Sequence, residues 1–372
     1  MDDGSGITRR SFLGGVALAC GAAGLVMGFP RFALAEASED ELARSGVPYL
    51  TSWAGSDVYN TNQLITTNYF RSSDWVVIAS GAESSWPDAI VASGVAGMKS
   101  APVVLTPGSD LCEDAEISIR ALGAKNAYII GGTAVISQSV ENRLHSIFGP
   151  DGQVIRLAGS TCYETAERAY SAFRTTGWSN SKPSGNWRNQ GGKRVAILAH
   201  SNSFHDGMCA GSVSYEAHYP ILFVTSSGSF TQTTQGILKN GGFDEIYGIG
   251  TVAQATLDEA KRLSKATVTR RLAGATSCDT SALVFETATK TDKISFTHVA
   301  IVGTDNVYDS RSVFGVQHGI FLACENKTST TYSFMRSTGW MCDGIMFVGP
   351  LSHDTCSIAE SGWWDGRVNG GN

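Results

Sequence analysis

Trp53-Ala54-Gly55-Ser56-Asp57-Val58-Tyr59-Asn60-Thr61 returns as Leu157-Ala158-Gly159-Ser160-Thr161-Cys162-Tyr163-Glu164-Thr165 and again as Leu272-Ala273-Gly274-Ala275-Thr276-Ser277-Cys278-Asp279-Thr280. Two further landmarks follow each time in the same order. An aspartate opens a helix-like stretch at Trp86-Pro87-Asp88, Phe204-His205-Asp206 and, more weakly, Val307-Tyr308-Asp309. A glycine turn comes later, at Gly131-Gly132-Thr133, Gly248-Ile249-Gly250-Thr251 and Val348-Gly349-Pro350. Three landmarks kept in register three times mark internal repetition, and the repeat decides how every element is assigned. The expected units are 51–151, 152–266 and a diverged 267–372.

Between the landmarks lie short apolar runs rich in β-branched residues: Trp75-Val76-Val77-Ile78-Ala79, Pro102-Val103-Val104-Leu105 and Ala127-Tyr128-Ile129-Ile130. Such runs read as strands buried on both faces. They alternate with helical stretches, expected from Asp88 to Met98 behind Pro87 and from Val135 to Phe148. Strand and helix in this rhythm specify an α/β fold with parallel sheets of the doubly wound class. The second unit repeats the pattern with Arg194–Leu198, Pro220–Val224 and Glu245–Gly248. The third keeps His298–Val302 and Gly344–Val348, while its middle strand is not legible.

The chain of 372 residues is 42% apolar, too long for one compact unit and able to bury several cores. Residues 1–35 read as a signal peptide: Arg9-Arg10 before Phe12-Leu13, a small and apolar run to Gly28, and Ala33-Leu34-Ala35 before the expected cleavage point. The paired arginines look like a twin-arginine export signal, and the run falls short of a spanning helix. A linker is expected over 36–50, with no membrane span left after cleavage. The formal net charge of −6 becomes one unit more negative when Asp2, Asp3, Arg9, Arg10 and Arg31 leave, which argues against a nucleic-acid partner. Seven cysteines remain, at 112, 162, 209, 278, 324, 342 and 356, none in C-x-x-C spacing, so zinc-ribbon and thioredoxin-like readings lack their signature. Three fall in the last fifty residues, where one bridge is expected as readily as not.

The L-A-G-x-x-x-Y-x-T opening, the W-P-D-A helix start, the A-P-V-V-L-T strand and the I-I-G-G-T-x-x-I-S turn together resemble the cell wall binding repeat 2 family. The resemblance implies three tandem Rossmann-like units packed about a pseudo-threefold axis, exported to the cell surface and held noncovalently on an anionic cell-wall glycopolymer. That reading needs neither cofactor nor catalytic residue. Candidate ligand-binding residues are Arg156 and Arg271, within the basic clusters at 156, 193–194 and 270–271. Tyr59 and Tyr163 come from the openings, Asp88, Asp206 and Asp309 from the helix starts, and Thr133 and Thr251 from the glycine turns. The sequence departs from the family in lacking an arginine before the repeat tyrosine, with Val58, Cys162 and Ser277 there, and in replacing the third tyrosine by Cys278.

Other chemistry is weighed against simpler roles. Gly248-Ile249-Gly250-Thr251-Val252-Ala253 satisfies a G-x-G-x-x-A dinucleotide fingerprint, the basis of an alternative reading as an exported cofactor- or small-molecule-binding protein or enzyme. It follows the third strand of its unit, however, and no acidic residue ends the next strand, so close strand–helix packing accounts for it better. The aspartates read as a polar or cation site round an axis, or as residues charging the first turn of a helix, and the second reading is the more economical. His200, Ser201, Ser203, His205 and Asp206 gather catalytic residue types, yet no G-x-S-x-G elbow or H-E-x-x-H motif accompanies them.

Overall fold

A computed structural model describes residues 49–176, 193–316, 318–323 and 328–369. The expected signal peptide and nearly all of the linker lie outside the described residues, as does Cys324. Among the described residues, twelve strands form three four-stranded sheets, parallel throughout. The chain begins with β1 (Tyr49–Trp53) and helix α1 (Val58–Tyr69). Next come β2 (Trp75–Ser80), α2 (Trp86–Lys99), β3 (Val103–Thr106), α3 (Glu113–Ala121), β4 (Asn126–Ile130), α4 (Gln138–Phe148) and β5 (Gln153–Leu157). The pattern repeats with α5 (Cys162–Thr176), β6 (Val195–His200), the short α6 (Phe204–Met208), α7 (Ala210–Ala217), β7 (Ile221–Val224), α8 (Gln232–Asn240), β8 (Glu245–Ile249), α9 (Gln254–Ser264) and β9 (Val268–Leu272). Then follow α10 (Ser277–Glu286), β10 (His298–Gly303), a 3₁₀ segment (Thr304–Val313), β11 (His318–Ala323), α11 (Thr328–Ser337), β12 (Gly344–Val348) and α12 (His353–Asn369).

The sheets run β3-β2-β4-β5, β7-β6-β8-β9 and β11-β10-β12-β1. The same order is built three times, and the third sheet takes its last strand from the start of the chain, Tyr49–Trp53 pairing with Gly344–Val348. Each strand leading into an L-A-G-type opening is therefore the edge of the sheet before it: β5 pairs with β4, β9 with β8 and β1 with β12. The strand of the third unit that was not legible in sequence is β11, second in chain order and at the edge of its sheet. The helix expected from Val135 starts at Gln138, because the N–H groups of Val135 and Ile136 both bond the Gly132 carbonyl and hold those residues in a turn.

Strand alternation explains how the sheets join. Val76 and Ile78 face an outer core of the first sheet with Ile129 and Leu144, whereas Val77 and Ala79 face a core shared by all three. In β6, Ala196 and Leu198 likewise face an outer core, and Ile197 and Ala199 the shared one. Successive side chains of a strand point to opposite faces, so one strand serves both layers. The shared core is entered by α2, in which twelve of fourteen residues are buried. Glycines let backbones meet there. A Cβ on Gly97 would lie 2.0 Å from the Tyr215 carbonyl oxygen, one on Gly211 2.6 Å from the Phe314 ring, and one on Gly315 2.0 Å from Val103 N. These close approaches join first sheet to second, second to third and third to first. Buried Asn62 adds to the last seam, donating to the Val103 and Ser312 carbonyls while accepting from Leu105 N–H.

Candidate functional site

The three landmarks converge at the carboxyl ends of the strands. The N–H of each turn glycine bonds the carbonyl of the residue that begins an opening motif: Gly131 to Leu157 at 3.0 Å, Gly250 to Leu272 at 2.8 Å and Gly349 to Trp53 at 2.9 Å. All three glycines hold φ between +63° and +114°, backbone that a side chain resists. The opening motif then turns from strand to helix through a second repeated bond, the motif glycine N–H donating to the motif threonine: Gly55 to Thr61 (2.9 Å), Gly159 to Thr165 (3.3 Å) and Gly274 to Thr280 (3.0 Å). Asp57 and Thr276 cap the helices that follow, the latter in a full capping box with Asp279.

The helix-start aspartates pack under the glycine turns. A Cβ on Gly131 would lie 2.8 Å from Asp88 Oδ2, and one on Gly250 2.4 Å from Asp206 Oδ2. Asp88 is buried and takes a hydrogen bond from the Thr165 hydroxyl, while its Oδ1 meets no hydrogen-bond partner among the described residues. Burial pushes its carboxyl up to about 6. Asp206 accepts instead from the Ser203 hydroxyl at 3.0 Å. Both aspartates stand in the first turn of their helices, as expected, but their partners are side chains, so instead of capping backbone N–H groups they brace the turn above them. The Asp309 side chain lies outside the described residues.

Each opening helix straddles a seam. On α5, Thr165 reaches back to Asp88 of the first sheet, and the Tyr163 hydroxyl pairs with Ser201 Oγ at 2.9 Å, just beyond β6 of the second. On α1, the Tyr59 ring takes the corresponding place over Gly81, which has no room for a Cβ. The third helix carries Cys278, fully buried and disulfide-bonded, in place of the tyrosine. Cys112, Cys162, Cys209, Cys342 and Cys356 form no disulfide, so neither Cys342 nor Cys356 takes part in the terminal bridge expected as readily as not.

The basic candidates are engaged within the fold. Arg156 donates from Nη1 to the Gly131 and Ile136 carbonyls, both at 2.8 Å, and from Nε and Nη2 to Glu141. Arg271 holds the equivalent place, with Nε on the Val252 carbonyl at 3.0 Å, and is exposed. Lys193 and Arg270 converge on the carboxylate of Glu245, which is buried and also accepts from the Tyr247 hydroxyl. Lys193 and Arg270 share a single carboxylate, and Arg271 has a neutral carbonyl as its partner, so these positions keep net positive charge while being fixed to the fold. Thr133 and Thr251 stand exposed on the turns.

Sequence reasoning read the tyrosines, aspartates and turns as separate candidates, and the structure brings them into one strip along the strand ends. It missed the motif threonines as locks and missed Arg311, buried between units with Nη1 on the Ala82 carbonyl. The repeat of Thr61, Thr165 and Thr280 was the available signal, whereas nothing local marks Arg311. In the dinucleotide-like turn, a Cβ on Gly248 would lie 2.9 Å from the Leu257 side chain, which is the requirement of strand–helix packing. Within the His200–Asp206 cluster, Ser201 pairs with Tyr163 and Ser203 with Asp206, and neither imidazole bonds a serine among the described contacts. The crevice between β6 and β8 has a volume of about 260 Å³ and is lined by His200, Asn202, Ser203 and Thr251. No described helix is long and apolar enough to cross a membrane.

The family model for cell wall binding domain 2 matches residues 53–141 and 156–255, half of the chain. Among curated proteins, the N-acetylmuramoyl-L-alanine amidase LytC of Bacillus subtilis (strain 168) is 28% identical over 198 residues, covering 53% of this chain and 35% of that protein. The amidase enhancer of the same organism is 22% identical over 334 residues, covering 86% and 42%. The chain thus spans less than half the length of these relatives. Cwp6 from Clostridium difficile shares the fold at a TM-score of 0.69 and 19% identity, over 84% of this chain and 48% of that one. Cwp8 from the same organism does so at 0.67 and 16%, over 87% and 53%.

Proposed function

The chain belongs to the cell wall binding domain 2 family, and on that premise we propose that it is an exported, noncatalytic envelope protein held noncovalently on an anionic wall glycopolymer. Association with the cell wall is the family's common property; export, the polymer and the noncatalytic role are this proposal's own. The observation that carries it is the triple recurrence of one bond, turn glycine to opening residue, at the carboxyl ends of three sheets of the same strand order. In this reading the sheets are diverged copies about a pseudo-threefold axis, and the strip formed by Tyr59, Tyr163, Thr133, Thr251 and the aspartates beneath them faces the polymer. Arg156 and Arg271 act there by holding the turns in shape. The units of the proposal run 51–151, 152–266 and 267–372, each completed by the edge strand that follows it or, for the last, by β1. Fractionation of the producing cells tests it. The protein is expected in the wall fraction, in a form lacking residues 1–35, and concentrated salt releases it without wall digestion; recovery in the cytosol contradicts the proposal.

A further inference from the structure

We propose that the crevice between the carboxyl ends of β6 and β8 is a sugar subsite, taking one uncharged, hydroxyl-rich ring through His200, Asn202, Ser203 and Thr251. The inference rests on the wall-association reading and deepens it by naming what part of the polymer this unit reads.

Position is the first argument. In the order β7-β6-β8-β9, the chain leaves β6 toward one side of the sheet and β8 toward the other. Crevices outside the strand ends at such a reversal are where open parallel sheets bind ligands. At about 260 Å³ and open to solvent, this one is a shallow depression with room for no more than a single ring.

Chemistry is the second. The lining is an imidazole, an amide and two hydroxyls, with no ammonium or guanidinium among them. Phosphate recognition calls for charge-assisted donors, and Arg271, with its Nε on the Val252 carbonyl, is not among the lining residues. Sugar hydroxyls both donate and accept, which matches this lining. Ser203 gives its proton to Asp206 and keeps its lone pairs for a hydroxyl donor. His200 is 9% exposed, and its Nδ1 has no hydrogen-bond partner among the described residues. Burial holds its pKa below the ordinary imidazole value, so the ring is neutral and offers one donor and one acceptor.

The first sheet provides an internal contrast. Ser80 ends β2 where His200 ends β6, and its hydroxyl accepts the Ala82 N–H at 3.2 Å. The loop that follows is two residues longer and carries a 3₁₀ turn at Glu83–Ser85. The place satisfied internally in the first unit is left with an unmatched imidazole in the second.

The test is a titration of the mature chain with neutral hexoses and N-acetylhexosamines, and separately with glycerol phosphate oligomers, following histidine ring resonances by NMR. The His200 resonances are expected to shift with at least one neutral sugar. Thr251→Val and Asn202→Ala, at exposed positions that leave folding intact, weaken that sugar by about tenfold. No shift with any neutral sugar, or a shift with glycerol phosphate alone, overturns the subsite. The titration needs no cell wall, so a sugar shift in a protein that walls do not retain counts against the wall reading alone. Retention without a sugar shift counts against the subsite alone.

Discussion

Asp88 shows what a single residue contributes to this design and to its pH response. Its carboxyl titrates at about 6 in the fold against an ordinary value of 3.8, because burial disfavours the charged form. Between those values the unfolded chain has released the proton that the folded chain still holds, so stability falls as pH rises from about 4 to about 6 and stays lower above. Asp292, also raised to about 6 by burial, adds to the same slope. Denaturant melts across pH 3.5 to 7.5 are expected to show that decline, and Asp88→Asn to flatten part of it; an undiminished slope in the variant contradicts the assignment. The motif threonine makes a second residue-scale prediction. Thr165→Val removes both the acceptor of the Gly159 N–H and the donor to Asp88, and should cost about 1–3 kcal/mol in urea melts. These residues stood out in the sequence by repetition, but their partners did not. A spacing of six from glycine to threonine is visible in the chain, whereas the approach of Thr165 to Asp88 is created by packing.

At the scale of elements, the strands were legible because burial on both faces leaves continuous apolar runs, and α2 because Pro87 marks its start. The edge strands were not. Their residues Gln153–Leu157 and Val268–Leu272 are partly exposed and interrupted by Arg156, Arg270 and Arg271, and the partner of β1 lies nearly the whole chain away. Hydrogen-bonded pairing of that kind is nonlocal, and no local pattern announces it. Arg156 is the clearest consequence. A cation on an edge strand reads as a ligand contact, yet here it clamps two carbonyls of the adjoining turn and an acidic partner. Arg156→Gln is expected to lower stability by about 1–3 kcal/mol through the lost charge-assisted hydrogen bonds, while the folded variant sediments with walls like the parent. Loss of wall binding in a fully folded variant would return Arg156 to the ligand.

Across the whole molecule, the third sheet is closed by the first strand, which makes the fold's integrity depend on both ends of the described chain. A chain beginning at Gly55 lacks β1 and with it the edge partner of β12 and the Trp53 carbonyl that receives the Gly349 N–H. Hydrogen exchange at Ile345–Val348 is expected to accelerate in that truncation while β2 and β6 keep their protection, a difference that uniform exchange would exclude. The cations of the edge strands are engaged on turns and on Glu245. The proposed attachment to an anionic polymer is assigned to the strand-end strip and not to net charge, which is negative. The direct measurement is cosedimentation of residues 36–372 with native cell walls and with walls stripped of anionic polymer, over a series of salt concentrations. Retention on native walls, lost on stripped ones, is the result expected; absence of binding to either, or equal binding to both, contradicts polymer attachment.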